Sequence, residues 1–168
     1  AGALFIKKGT KLTPRTFGGL QDQKIRPGTE PMPAIAGFAA AAKAMPEFKD
    51  SLSHAGQLRD YFVSRVSAME DVVINSPSNA LPYVTNISVK GIPSEVMINY
   101  LSNMGIYVSG GSACSKGHRS KVLTAMGLPP ERIDSALRIS FSRFTTKEEI
   151  DMLLCGLESA ENSLRKKM

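Results

Sequence analysis

Leu137-Arg138-Ile139-Ser140-Phe141 runs through Ser142-Arg143-Phe144 into Thr145-Thr146-Lys147-Glu148-Glu149-Ile150. Alternation puts Leu137, Ile139 and Phe141 on one face of a strand and Arg138 on the other. Thr145 and Thr146 each stand three residues before a glutamate, the spacing of a reciprocal helix cap. Ile150, Leu153, Leu154, Leu157 and Leu164 then supply a single buried stripe. A half-apolar strand feeding a capped, one-sided helix predicts helices layered on a sheet.

The same grammar extends upstream. Asp71–Asn75 and Tyr83–Lys90 read as strands, the second with Tyr83, Thr85, Ile87 and Val89 opposite Val84, Asn86 and Ser88. Ile106-Tyr107-Val108 is expected to add another. Helices are predicted over 33–45, 53–69, 93–104 and 120–126. In the second of these Leu58, Phe62, Val66 and Met69 form one apolar face, and Gly105 stops the third. The result is an α/β (α+β) domain of two layers over residues 34–168, with about four short strands covered by helices. Residues 1–33 form a loop-rich connector, broken by Gly9, Pro14, Gly18-Gly19, Pro27-Gly28, Pro31 and Pro33. Ala1–Ile6 reads as a buried strand entered in mid-flow, which suggests a fragment of something longer.

Composition narrows the function. The 168 residues suffice for one domain with a core, and two cysteines cannot build a disulfide framework or a paired CxxC zinc site. No apolar run approaches a membrane span, and no secretory signal opens the chain. A cytoplasmic protein with no membrane partner is expected. The net charge of +6 suits an anionic ligand or acidic partner, but the basic residues are dispersed and do not alternate with aromatics. Nucleic acid is therefore not expected as a partner.

Cys114 lies in the Gly/Ser loop Ser109-Gly110-Gly111-Ser112-Ala113-Cys114-Ser115-Lys116-Gly117. It is either a reactive thiolate, its pKa lowered by Lys116, His118, Arg119 and the next helix N-terminus, or a small buried hydrophobe. Cys155, beside Leu154 and Leu157, is expected in the core. His54 and His118 are the only histidines and have no ligand spacing, so no metal is expected; His54 reads as helix surface. Arg138 is either solvated or grips a carboxylate through its bidentate fork, with Arg143 close behind. Arg26-Pro27-Gly28-Thr29-Glu30 combines a turn with a hydroxyl and exposed N–H groups that could hold a phosphate.

Together these segments resemble the cysteine desulfurases. Gly18-Gly19-Leu20-Gln21, Arg26–Glu30 and Pro33-Ala34-Ile35-Ala36-Gly37 are similar to that family's GGGQE…RxGTENxPxIxG stretch. Gly110-Gly111-Ser112-Ala113-Cys114-Ser115 is similar to its active-site loop, and Val122–Leu128 and Leu137–Asp151 complete the pattern. The resemblance implies the aminotransferase-like fold and the C-terminal small domain of a dimeric pyridoxal phosphate enzyme. Residues 1–33 would be a connector left from the large cofactor-binding domain, and residues 34–168 would include the interdomain helix. Cys114 would take sulfur from the substrate cysteine as a persulfide, leaving alanine. Arg138 would hold the substrate carboxylate, and Thr29 would reach the cofactor phosphate across the homodimer. The sulfur would pass on to an acceptor such as an iron–sulfur scaffold protein.

Departures accompany the match. The lysine expected to carry the cofactor would lie upstream of Ala1, and neither Lys7 nor Lys8 takes its place, so the isolated chain is expected to be inactive. Leu20 and Asp22 replace a Gly and a Glu, and His118-Arg119-Ser120 stands where Glu-Pro-Ser is common. Two other readings compete with the enzyme fragment. One is a non-enzymatic persulfide carrier or scaffold-binding module using Cys114. The other is a related lyase or transaminase, against which the cysteine loop speaks because a transaminase needs no thiol there.

Overall fold

In the computed structural model, residues 1–110 and 119–164 are described, and they fall into two compact units, Ala1–Glu47 and Phe48–Met168. In the first unit Ala1–Ile6 forms no strand, and the Phe5 side chain is 92% exposed, against the sequence expectation of a buried strand. A strand needs a neighbour for its backbone groups, and no described residue of this unit supplies one. Gln21–Lys24 make a short 3-10 turn in which Asp22, Gln23 and Lys24 all take positive φ (47°, 58° and 69°). The turn is braced from both sides. Arg26 Nε donates to Asp22 Oδ2 at 3.0 Å, and the Gly28 N–H donates to Gln21 Oε1 at 3.3 Å. Gly28 itself has φ 115°, a conformation that favours glycine. Helix α1, Met32–Lys43, begins at a proline-assisted N-terminus, and every one of its residues is exposed.

The second unit is built on three strands, β1 (Val72–Ile74), β2 (Val84–Val89) and β3 (Ala136–Ser140), antiparallel in the order β1-β2-β3. Ile87 pairs with Leu137 and Asn86 with Arg138. Thr85, Ile87, Val89, Leu137, Ile139 and Phe141 are buried on the core face, as the alternation requires. Helix α2 (Phe48–Val66) covers that face with Leu58, Phe62 and Val66, and the Phe62 and Phe141 rings meet edge to face at 6.0 Å.

Helix α3 (Ser94–Asn103) and the C-terminal helix complete the layer. The two short helices between them are α4 (Lys121–Ala125) and α5 (Pro130–Asp134), so the C-terminal helix, Lys147–Leu164, is α6. Leu123, Ile133 and Ala136 form a small second cluster with Leu128 packed against it. Helix α5 is not among the helices expected from the sequence. Pro130 in fact occupies the first turn, where its missing N–H costs nothing.

Ile106-Tyr107-Val108 is not a strand. The main chain meets β3 only where Ser109 bridges Arg138. A cavity of about 340 Å³, lined by Ile106, Val108, Ser140 and Phe141 among others, lies between the two segments. The expected four strands are thus three plus one bridge.

Only one of the two expected threonine caps closes on α6. The Thr146 N–H donates to Glu149 Oε2 at 3.0 Å, and the Glu149 N–H donates to Thr146 Oγ1 at 3.3 Å. Thr145 Oγ1 instead accepts the Ser142 N–H at 2.9 Å, fixing the turn before the helix. Cys155 is exposed, not in the core. At 100° per residue it falls on the far side of α6 from Ile150, Leu153, Leu154 and Leu157, which are buried.

Thr146→Ala removes half of the reciprocal cap and is expected to lower unfolding free energy by about 1 kcal/mol. Phe62→Ala, which empties the space between α2 and Phe141, should cost about 3–5 kcal/mol. Urea unfolding followed by circular dichroism checks both, and equal losses for the two variants would contradict this packing.

Candidate functional site

The sheet face turned away from α2 carries a row of polar side chains. Asn75 follows β1, Asn86 lies on β2 and Arg138 on β3. The Asn75 N–H donates to the Asn86 carbonyl at 2.8 Å, and Asn86 is registered with Arg138. Arg138 exchanges both main-chain hydrogen bonds with Ser109 on its outer edge. Towards β2 it therefore forms the non-hydrogen-bonded type of pair, with Cα atoms about 4.5 Å apart and side chains close together.

One end of this row is heavily braced. Arg132 Nε donates to Asn75 Oδ1 at 3.0 Å, and its Nη2 reaches the Ile74 carbonyl at 3.3 Å. Asn75 Nδ2 donates to Asn86 Oδ1 and to Ser88 Oγ, each at 2.7 Å. Ser88 Oγ in turn donates to the Arg132 carbonyl at 2.6 Å. Asn75 and Ser88 are buried, which a polar side chain tolerates only when bonded. The other end is open. Arg138 is exposed, and among the described residues its guanidinium has no hydrogen-bond or ion-pair partner.

The remaining candidates are distributed as follows. Cys114, Lys116 and His118 lie outside the described residues. Arg119 forms a bidentate ion pair with Asp134 at the end of α5, both contacts at 2.7 Å. Hydrogen bonding from Arg119 holds the Asp134 carboxyl below its ordinary range, and Asp134 raises the guanidinium in return. The Arg119 charge is thus paired with a carboxylate, while the thiol it was expected to acidify lies outside the described residues. Arg143 lies over the Phe144 ring at 4.7 Å. Thr29 is exposed directly after Gly28, in the first unit, while Arg138 belongs to the second.

His54 is half-buried and donates from Nε2 to the Thr145 carbonyl at 3.1 Å, tying α2 to the turn before α6. No group of three or more potential metal ligands occurs among the described residues. No described helix is long and apolar enough to cross a membrane. Sequence reasoning passed over Asn75, Asn86, Ser88, Arg132 and Asp134 as site residues. The available signal was the run of two polar residues, Asn86 and Ser88, on one side of an otherwise apolar strand.

Residues 5–153 match the model of the aminotransferase class-V family. The chain belongs to that family. Its class-V relatives include the cysteine desulfurase IscS of Dictyoglomus turgidum, 37% identical over 98% of this chain and 43% of the relative. Another is the cysteine desulfurase IscS of Methanosarcina thermophila, 37% identical over 91% of this chain and 39% of the relative. Among solved structures, a NifS-like protein superposes with a TM-score of 0.77 at 32% identity, covering 94% of this chain and 41% of the other. The NifS-like protein of Rickettsia africae gives 0.74 at 28% identity, covering 91% and 41%. The class-V chain described here therefore spans less than half the length of these relatives.

The Arg119–Asp134 pair carries a pH signature. A carboxyl whose folded pKa is depressed contributes stability above its unfolded value, near about 4, and loses it as pH falls through the folded value. Unfolding midpoints should therefore fall more steeply in acid for the natural chain than for Asp134→Asn. Parallel acid profiles for the two proteins would show that the pair contributes nothing.

Proposed function

We propose that this chain is the C-terminal part of a cytoplasmic, homodimeric cysteine desulfurase, with residues 1–33 as connector and residues 34–168 as small domain. The supporting observation is the placement of Arg138. Its guanidinium stands unpartnered among the described residues, while its backbone is bonded to Ser109. Ser109 is five residues before Cys114. Five residues reach at most about 17 Å, a tether that allows the Cys114 thiol to reach a substrate held on Arg138.

Arg138 would receive the substrate carboxylate in its planar fork, which fixes the direction of the rest of the molecule. A thiolate at Cys114 would attack the substrate sulfur. A sulfur–sulfur bond forms as the carbon–sulfur bond breaks, and the bonding electron pair leaves with carbon, which is protonated to give alanine. The persulfide on Cys114 would then be handed to an acceptor such as an iron–sulfur scaffold protein. Pyridoxal phosphate, when bound, would supply the electron sink for that cleavage. Thr29 fits one part of its phosphate site: an exposed hydroxyl following a glycine at φ 115°, presented by the braced turn. The cysteine desulfurase relatives support the reaction, and a related fold, SspA, was solved in complex with cysteine, with a TM-score of 0.56 at 26% identity.

Given L-cysteine and pyridoxal phosphate, the 168-residue chain alone is expected to form no alanine, whereas a chain completed at its N-terminus to the length of the relatives should. In that completed enzyme Cys114→Ser should abolish the persulfide while Cys155→Ser retains it, and Arg138→Ala should raise KM for cysteine at least tenfold. Mass spectrometry of the intact protein and alanine analysis provide the readouts. Uptake of persulfide from an external donor, without alanine from the completed enzyme, would identify a carrier instead.

A further inference from the structure

The polar row has a direction, and that direction ends at Arg138. A guanidinium can only donate, so the Asn75 oxygen must face Arg132. The Asn75 nitrogen must then face the other way and donate, as it does to Asn86 and Ser88. Asn86 is consequently obliged to accept through Oδ1 on the β1 side. That leaves its Nδ2 group, with two N–H donors, free to donate elsewhere. No described residue accepts from this group. Asn86 is only half-buried, and its neighbour across the strand pair is Arg138, whose guanidinium has no partner among the described residues.

Two donor groups thus project from paired positions on one face of the sheet, with no acceptor bonded to either among the described residues. Such an arrangement suits an anion with at least two oxygens. We infer that Asn86 is a second ligand for the carboxylate held by Arg138, its amide set in the donating sense by the relay from Arg132 through Asn75. The inference rests on the proposed role of Arg138 as carboxylate ligand and adds to it the residue that selects a planar, two-oxygen group. One oxygen would be taken by the fork of Arg138 and the other shared with Asn86 Nδ2. Asn75 and Arg132 are positioning residues in this arrangement, since they act on the carboxylate only through the orientation of Asn86.

The test is a nuclear magnetic resonance titration of the 168-residue chain with L-cysteine under reducing conditions. Cysteamine, which lacks the carboxylate, serves as control at matched ionic strength. The Asn86 side-chain NH2 and the Arg138 Nε–H signals should shift together along one saturation curve with cysteine, and neither should shift with cysteamine. Asn86→Ala should raise the half-saturation read at Arg138 about tenfold, the effect of losing one hydrogen bond to a charged group. Asn86→Asp, of equal size but lacking the donors and bearing charge, should abolish the response while its backbone spectrum stays folded. If Arg138 responds to cysteine but the Asn86 signal does not, and Asn86→Ala leaves the curve unchanged, this inference is overturned and the role of Arg138 stands. If Arg138 itself does not respond, the carboxylate assignment falls with it.

Discussion

The pairing of β2 with β3 in its observed register is the constraint on which the rest depends. Ile87 opposite Leu137 turns both side chains into the core under α2, and the next pair, Asn86 with Arg138, necessarily faces the other way. A slip of one residue would expose the apolar set and bury a guanidinium with no acid beside it, a loss no surface contact could offset. The energy that fixes the core therefore also fixes the polar face that carries Arg138. The site needs no separate device to present Arg138, because the hydrophobic side of the same strand does so.

What the core does not determine, the hydrogen-bond network does. An asparagine amide is nearly symmetrical in shape, so packing alone cannot choose which end points where. Here the choice is made by Arg132, two strands away from Arg138, through an unbroken sequence of donors and acceptors. The short helix α5 delivers that guanidinium and, two residues later at Asp134, receives Arg119. It thereby links the outer face of the sheet to Arg119.

Most of the fold was legible because its signals are local. The apolar spacing of Leu58, Phe62 and Val66, the alternation from Leu137 to Phe141, and the threonine–glutamate spacing at 146 and 149 each specify their element within a few residues. The misreadings share a cause, which is that strand formation and burial depend on what lies opposite. Ile106–Val108 has strand composition but stands across a cavity from β3. Ala1–Ile6 has it too, with no edge to join among the described residues of its unit. Cys155 sits between apolar neighbours in sequence yet on the opposite side of the helix. Of the candidate site, Arg138 could be singled out as an anomaly in an apolar strand, whereas Asn86 acquires meaning only from Asn75 and Arg132, 11 and 46 residues away along the chain.

Gly156 gives this architecture an unexpected sensitivity. A β-carbon there would come within 2.7 Å of Leu101 on α3 and 3.0 Å of Ile106. Ile106 lies three residues before Ser109, whose bridge to Arg138 is the only main-chain hold between that segment and β3. The gap between two helices on the core side thus works as a spacer for a peptide segment on the site side. A single methyl group added to α6 would press on the side-chain ends of Leu101 and Ile106 and crowd the segment that leads to Ser109, while leaving every candidate site residue chemically intact. Loss of function by such a route would be written in the spacing of the helices, with no trace in the catalytic motif.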